Sequence, residues 1–192
     1  LYTRNGKVSS VCVDMGKPLF HPDEIPALLP LTSLRKDSVL VQDAELRDKL
    51  PEQIITSQIQ VNGNNYDATI LSIGNPHCVV FCGFVDKVDI PQVGPAFENH
   101  RAFPQRINTE FVRVVGRNSL KMRVWERGNG ETLSCGTGAC AAAVASVLNG
   151  HCPLDEDITV KVRGGELVVK YTGDTVYLTG PAEWSFTGLT EI

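Results

Sequence analysis

At 192 residues, 42% of them hydrophobic, the chain can form one large domain or two small ones and can bury a core. Its 18 basic and 22 acidic residues give a net charge of −4 with no Lys/Arg block, which argues against nucleic acid as a partner. The longest apolar stretch, Ala139 to Leu148, is too short to span a bilayer, so no membrane association is expected. The 6 cysteines show neither zinc-ribbon nor CxxC spacing, and no metal site is expected. Cys12, Cys78 and Cys82 lie in apolar, strand-like segments where cysteine serves as a small core residue, so the expectation is a reduced, cytoplasmic protein.

Short β-patterned runs separated by turn signals fill most of the chain. Val8 to Met15 alternates and stops at Gly16-Lys17-Pro18, and the proline-rich stretch from Pro18 to Pro30 reads as an irregular crossing. Ile54 to Val61 and Tyr66 to Ile73 flank Asn62-Gly63-Asn64-Asn65, a hairpin signal. Pro91 to His100 has proline in its first turn and reads as a short helix. Glu110 to Val115 and Leu120 to Glu126 pair around Gly116-Arg117-Asn118-Ser119. Gly136 to Leu148 is Ala-rich, closed by Asn149-Gly150, and is the strongest helix of the chain. Three further strands, Ile158 to Arg163, Glu166 to Tyr171 and Thr175 to Thr179, form a meander. One small-residue helix among many antiparallel strands predicts an α+β fold in which a curved sheet wraps around that helix.

Chemistry concentrates just before the helix, in Glu126-Arg127-Gly128-Asn129-Gly130-Glu131-Thr132-Leu133-Ser134-Cys135-Gly136-Thr137-Gly138. Cys135 stands at the positive end of the helix dipole, where a thiolate is favoured as base or nucleophile; the alternative is a buried cysteine at a tight turn. Gly136, Thr137 and Gly138 present first-turn N–H groups that either cradle a carboxylate or phosphate or meet solvent. Arg127 is able to clamp a carboxylate and Glu126 to hold an ammonium, or the two form an exposed ion pair. Asn75-Pro76 forces an extended or turn conformation that aims the Asn75 amide away from the sheet. His77 is either a second acid/base group or a structural histidine at a strand end, and Asn108 is equally open.

Four segments together resemble the diaminopimelate epimerase family: Met15-Gly16-Lys17-Pro18, Gly74-Asn75-Pro76-His77-Cys78-Val79, Phe103-Pro104-Gln105-Arg106-Ile107-Asn108, and the block from Glu126 to Cys140. Proline racemases and the isomerases related to phenazine biosynthesis share the general fold without this combination. The resemblance implies two pseudo-symmetric domains, each a sheet around a central helix, with the active site between them. It implies a homodimer and a cofactor-independent (PLP-independent) interconversion of LL- and meso-diaminopimelate, on the route to lysine and peptidoglycan. One cysteine, as thiolate, removes the α-proton, and another, as thiol, returns one to the opposite face. On this chain Cys135 matches one of those cysteines, and His77 and Glu126 match active-site acid/base groups. Asn75, Asn108, Glu126 and Arg127 match substrate contacts, with Gly136 and Thr137 at the carboxylate-holding helix start.

The family's other cysteine belongs to an Asn/Gly-rich motif in the N-terminal domain, and Cys12 has no such surroundings. The chain opens on Leu1 with no basic-then-apolar leader and is expected to be a fragment or a processed piece. It divides on this reading into the end of an N-terminal domain (1–56), a C-terminal domain (57–180) and a tail returning to the first domain (181–192). Alone it is expected to be inactive. A related racemase of the same fold, or a non-catalytic binding module on the same scaffold, is the competing reading.

Overall fold

Period-2 patterning and glycine turns carry the architecture. The computed structural model describes residues 1–190; Glu191 and Ile192, the end of the 181–192 segment, lie outside the described residues. In chain order the elements are β1 (Tyr2–Arg4), β2 (Lys7–Asp14), β3 (Thr32–Ser33), α1 (Ala44–Asp48), β4 (Gln53–Val61), β5 (Asn64–Ser72), β6 (Pro76–Phe81) and α2 (Ile90–Glu98). They continue with β7 (Asn108–Gly116), β8 (Ser119–Glu126), β9 (Gly130–Thr132), α3 (Gly136–Leu148), β10 (Asp157–Val162), β11 (Gly165–Tyr171) and β12 (Val176–Pro181).

One sheet runs β1-β2-β12-β11-β10-β8-β7-β6-β5-β4-β3, with β9 added beside β8. Its pairs are antiparallel except β6/β7 and β8/β10. A parallel pair needs a crossover, and α2 supplies the first while α3 supplies the second. The expected α+β class is therefore what forms, with α3 packed against β5 to β8 and β10 to β12.

The composition of α3 explains how that is possible. Every residue from Gly138 to Leu148 is buried, so the helix has no solvent face. Alanines at 139, 141, 142, 143 and 145 allow strands to approach its axis from all sides. Val79, Val112, Leu120, Met122, Val124, Val160 and Val169 close over it. The opposite face of the β4–β7 region carries a second core, with Ile55, Ile59, Ile70, Cys78, Val80 and Phe111 packed under Phe97 of α2 and Phe103.

Local rules place most boundaries. Asn62 and Gly63 both take positive φ, 50° and 80°, which gives the tight hairpin between β4 and β5. Asp89 caps α2 by accepting from the Gln92 N–H, and Pro91 sits in its first turn. β4 runs unbroken through positions 56 and 57. The elements β1, β3, α1, β6 and β9 were not delimited in the sequence. β6 is buried along nearly its whole length and so lacks alternation; the chain turns at Gly74 (φ 82°) and enters it directly at Pro76. α1 is too short to show a period and is held by its Asp43 cap.

α2 approaches the sheet closely at Gly94, where an added Cβ would run into the Trp125 ring. That ring is itself fixed by a hydrogen bond from Nε1 to Glu98 Oε2, 2.7 Å. Gly94→Ala is expected to lower folding stability by about 1–3 kcal/mol through overpacking. The denaturant midpoint of the variant checks this, and an unchanged midpoint would show that Trp125 can retreat.

Candidate active site

Strand register sets the site. β6 and β7 are parallel with His77 opposite Asn108, and β7 and β8 are antiparallel with Thr109 opposite Trp125 and Glu110 opposite Val124. Period 2 therefore puts His77, Asn108, Glu110 and Glu126 on one face of the sheet, the face that packs on α3. They gather toward the start of that helix, where Cys135 sits.

Cys135 is the N-cap of α3, in extended conformation at φ −133° and ψ 113°. Its carbonyl accepts the Ala139 N–H at 2.9 Å, and its sulfur accepts from the Gly138 N–H at 3.4 Å. Thr137 Oγ1 lies 3.6 Å from the same sulfur. The Gly136 and Thr137 N–H groups, in the first turn, have no i−4 carbonyl to bond. Space is tight at two glycines here. A Cβ on Gly136 would meet Leu178 at 3.1 Å, and one on Gly138 would fall 2.8 Å from Glu110 Oε1 and 3.2 Å from Cys135 Sγ.

The Cys135 thiol titrates above its ordinary range, contrary to the thiolate-favouring reading of the helix dipole. Burial is the largest cause and the nearby Glu110 charge the next, while the Thr137 and Gly138 contacts pull the other way. Burial pushes Cys140 up to about 12 and Cys152 to about 11, consistent with inert core thiols. None of the 6 cysteines is in a disulfide.

His77 is fully buried, with Nδ1 2.7 Å from Glu110 Oε1 and Nε2 2.9 Å from Asn75 Oδ1. Glu110 is also fully buried; its carboxyl is raised by burial, against the opposing pull of His77. Asn108 braces the site: Nδ2 donates to the Pro76 carbonyl at 2.9 Å, and Oδ1 accepts from the Arg127 N–H at 2.9 Å. The Arg127 guanidinium donates to the Gln105 carbonyl through Nη1 at 2.9 Å. Glu126 is half-buried and accepts from the Thr132 hydroxyl across the β8–β9 turn. The structure thus brings Asn75, His77, Asn108, Glu126, Arg127, Cys135, Gly136 and Thr137 to one end of α3.

Sequence reading missed Glu110, which links His77 to the helix start. Its signal was available, an acidic residue two positions after Asn108 in a strand and hence on the same face. It also missed the Glu98 carboxylate that accepts from Trp125, Arg106 and the Gly128 N–H and so ties the 126–130 turn to α2. Among the described residues no cluster of His, Cys, Asp or Glu has the arrangement of metal ligands, and no helix is long and apolar enough to cross a membrane.

The β8–β9 turn is held by Glu131, which pairs with Arg123 at 2.8 Å and Arg163 at 3.2 Å. The Arg123 hydrogen bond is the main cause that holds the Glu131 carboxyl below its usual value. A depressed carboxyl stabilises the fold above its unfolded value and loses that contribution as pH falls through the folded one. Glu131→Gln is therefore expected to cost about 1–2 kcal/mol at neutral pH and to converge on the parent only as pH falls from about 4.3 through the depressed folded value. Thermal melts of both proteins across that range check it, and a cost that persisted in acid would exclude the ion pair as its source.

The chain is similar to known proteins in sequence and in fold. The family model described as diaminopimelate epimerase matches residues 69–185. A diaminopimelate epimerase of Desulfovibrio desulfuricans is 43% identical over 185 residues, covering 95% of this chain and 59% of that protein. One from Nostoc punctiforme is 45% identical over 180 residues, covering 93% and 57%. The chain thus spans under two thirds of the length of these relatives. Among solved structures, a predicted epimerase from Pseudomonas aeruginosa aligns with TM-score 0.53 at 17% identity, covering 93% of this chain and 57% of that one. A probable proline racemase from Agrobacterium radiobacter aligns at 0.51 and 12%, covering 96% and 56%; these two likenesses concern the fold alone. On identity above 40% across nearly its whole length, and a family model matching well over half of it, this chain belongs to the diaminopimelate epimerase family.

Proposed function

We propose that the chain is the part of a diaminopimelate epimerase that contributes Cys135 as one of two acid/base thiols. The reaction is the cofactor-independent interconversion of LL- and meso-diaminopimelate in the cytoplasm. The observation that carries the reading is the placement of Cys135 at the cap of a buried helix, beside His77, Asn108 and Glu126 on the facing sheet. First-turn N–H groups of Gly136 and Thr137, with Arg127, hold the α-carboxylate; Asn75 and Asn108 line the same pocket, and Glu126 takes the ammonium. His77 and Glu126 tune proton transfer.

An amino-acid α-proton is a very weak acid, so its removal needs groups already placed to stabilise the developing negative charge. Inversion further needs a donor on the opposite face of the α-carbon. The second thiol comes, on this reading, from a segment preceding Leu1 that corresponds to the part of the relatives this chain does not span. Exposed Tyr2, Val8 and Val13 on β1 and β2, with exposed Trp184 and Phe186 beyond β12, support apolar packing at that edge. The division into 1–56, 57–180 and 181–192, with the first boundary inside β4, and assembly of the complete protein as a homodimer, belong to the same reading.

A protein that includes the preceding segment is expected to convert LL- to meso-diaminopimelate, and Cys135→Ala in it to lose about 10³-fold or more in rate. The 192-residue chain alone is expected not to invert the substrate. Chiral chromatography of the diaminopimelate pool reads all three. Inversion by the chain alone would defeat the division of the two thiols, and failure of the longer protein would defeat the assignment itself.

A further inference from the structure

Glu98 is a carboxylate on α2 that the proposed proton transfer does not use. Its side chain is only 8% exposed, and three donors converge on it. Oε1 accepts from the Gly128 N–H at 2.9 Å and from Arg106 Nη1 at 3.0 Å, and Oε2 accepts from Trp125 Nε1 at 2.7 Å. A carboxylate suits such a set because both of its oxygens accept. The helix that carries it is anchored one residue earlier by Phe97, which is fully buried in the second core.

The Gly128 contact reaches the candidate site. Glu126 to Asn129 form a turn closed by the Asn129 N–H on the Glu126 carbonyl at 3.0 Å, and Gly128 has φ 78°, the value of the third residue of a type II turn. The N–H of that residue has no partner inside the turn, and Glu98 supplies one from outside. The Arg106 contact reaches the facing segment. Arg106 takes φ 60°, a conformation that a side chain disfavours, so its stretch of chain needs restraint. Arg127 lies between the two tethered segments: its N–H donates to Asn108 Oδ1 and its Nη1 to the Gln105 carbonyl, each at 2.9 Å. Glu98, Gly128, Arg127, Gln105 and Arg106 thus close a ring of contacts.

We propose that Glu98 is a positioning residue that aims the Arg127 guanidinium at a bound carboxylate by fixing both segments that hold it. The proposal rests on the epimerase reading, in which Arg127 clamps the substrate α-carboxylate. A guanidinium carries more N–H donors than the Gln105 carbonyl takes, so it can meet a ligand without giving up that contact.

The test uses the protein that includes the preceding segment. Glu98→Ala removes all three contacts and is expected to raise KM for diaminopimelate about tenfold with kcat changed less than about threefold, the pattern of lost ground-state binding. Glu98→Gln keeps one carbonyl, which can serve the Gly128 and Arg106 side while its amide faces Trp125, so its KM is expected to stay within about threefold of the parent. A merely structural role would lower the amount of folded enzyme, and with it the apparent kcat, while leaving KM alone. An unchanged KM in Glu98→Ala beside an active parent overturns the proposal. Equal rises in both variants overturn it as well, because the Trp125 contact rather than the turn tether would then be the cause. Amide exchange of the ligand-free parent needs neither turnover nor a variant. There the Gly128 N–H is expected to exchange at least about tenfold more slowly than in an unstructured chain. Exchange at the unstructured rate overturns the proposal even where Glu98→Ala fails to fold. An inactive parent defeats the epimerase reading instead, and the exchange rate then decides the tether by itself.

Discussion

The constraint on which the rest depends is that α3 has no solvent face. A helix sheathed on all sides by a sheet must be built from small residues, and its first turn must find partners inside the protein rather than in water. The alanines between 139 and 145 meet the first demand. Cys135 meets the second in part, its sulfur accepting the Gly138 N–H, while Gly136 and Thr137 lie half-buried with first-turn N–H groups left over for a ligand or solvent. The geometry that makes the fold possible is thus the geometry that creates an anion-seeking site. Fold and site are not separate features grafted together; the second follows from burying the end of the first.

That single helix start serves two acids. The Cys135 sulfur takes the Gly138 N–H, while Glu110 comes up to the same glycine from β7. Because burial disfavours the charged form and the nearby Glu110 charge opposes it further, the helix dipole does not produce a resting thiolate at Cys135. The argument from helix geometry alone looked at the backbone and the cysteine and left out the carboxylate that the sheet delivers to the same point. Electrostatics of a buried terminus depend on every group facing it, and those groups come from strands distant in sequence.

What was legible in the sequence follows the same division. Turn chemistry at Asn62-Gly63, the proline start of α2 and the alanine run of α3 are local signals, and they placed those elements within a residue or two. The block around Cys135 was legible because its glycines and charged residues are contiguous. β6 was not, because a strand buried on both faces has no alternation to read. Glu110 shares a strand face with Asn108, which is a local signal, but its pairing with His77 depends on the parallel register of β6 and β7, fixed by a crossover through α2, and no local pattern encodes that register. The structure also changes the standing of Asn108. With both ends of its carboxamide committed to Pro76 and Arg127, it braces the pocket wall as well as facing it.

On the proposed reading Cys135 is a proton-transfer thiol, which must be tolerable in both of its states, and its surroundings fit that requirement better than they fit a permanent thiolate. Burial and Glu110 favour the thiol, which suits the stroke in which a proton is handed over. Once it is gone, the Thr137 hydroxyl and the Gly138 N–H are already beside the sulfur and need no reorganisation to stabilise its charge. A site built only to favour the thiolate would leave a weak base and no resting donor, and on the proposed reading epimerisation in both directions requires each thiol to serve as both base and acid. The mixed environment at the start of α3 is therefore what reversible proton transfer demands of a cysteine, and a carboxylate placed one strand behind it is part of how the balance is struck.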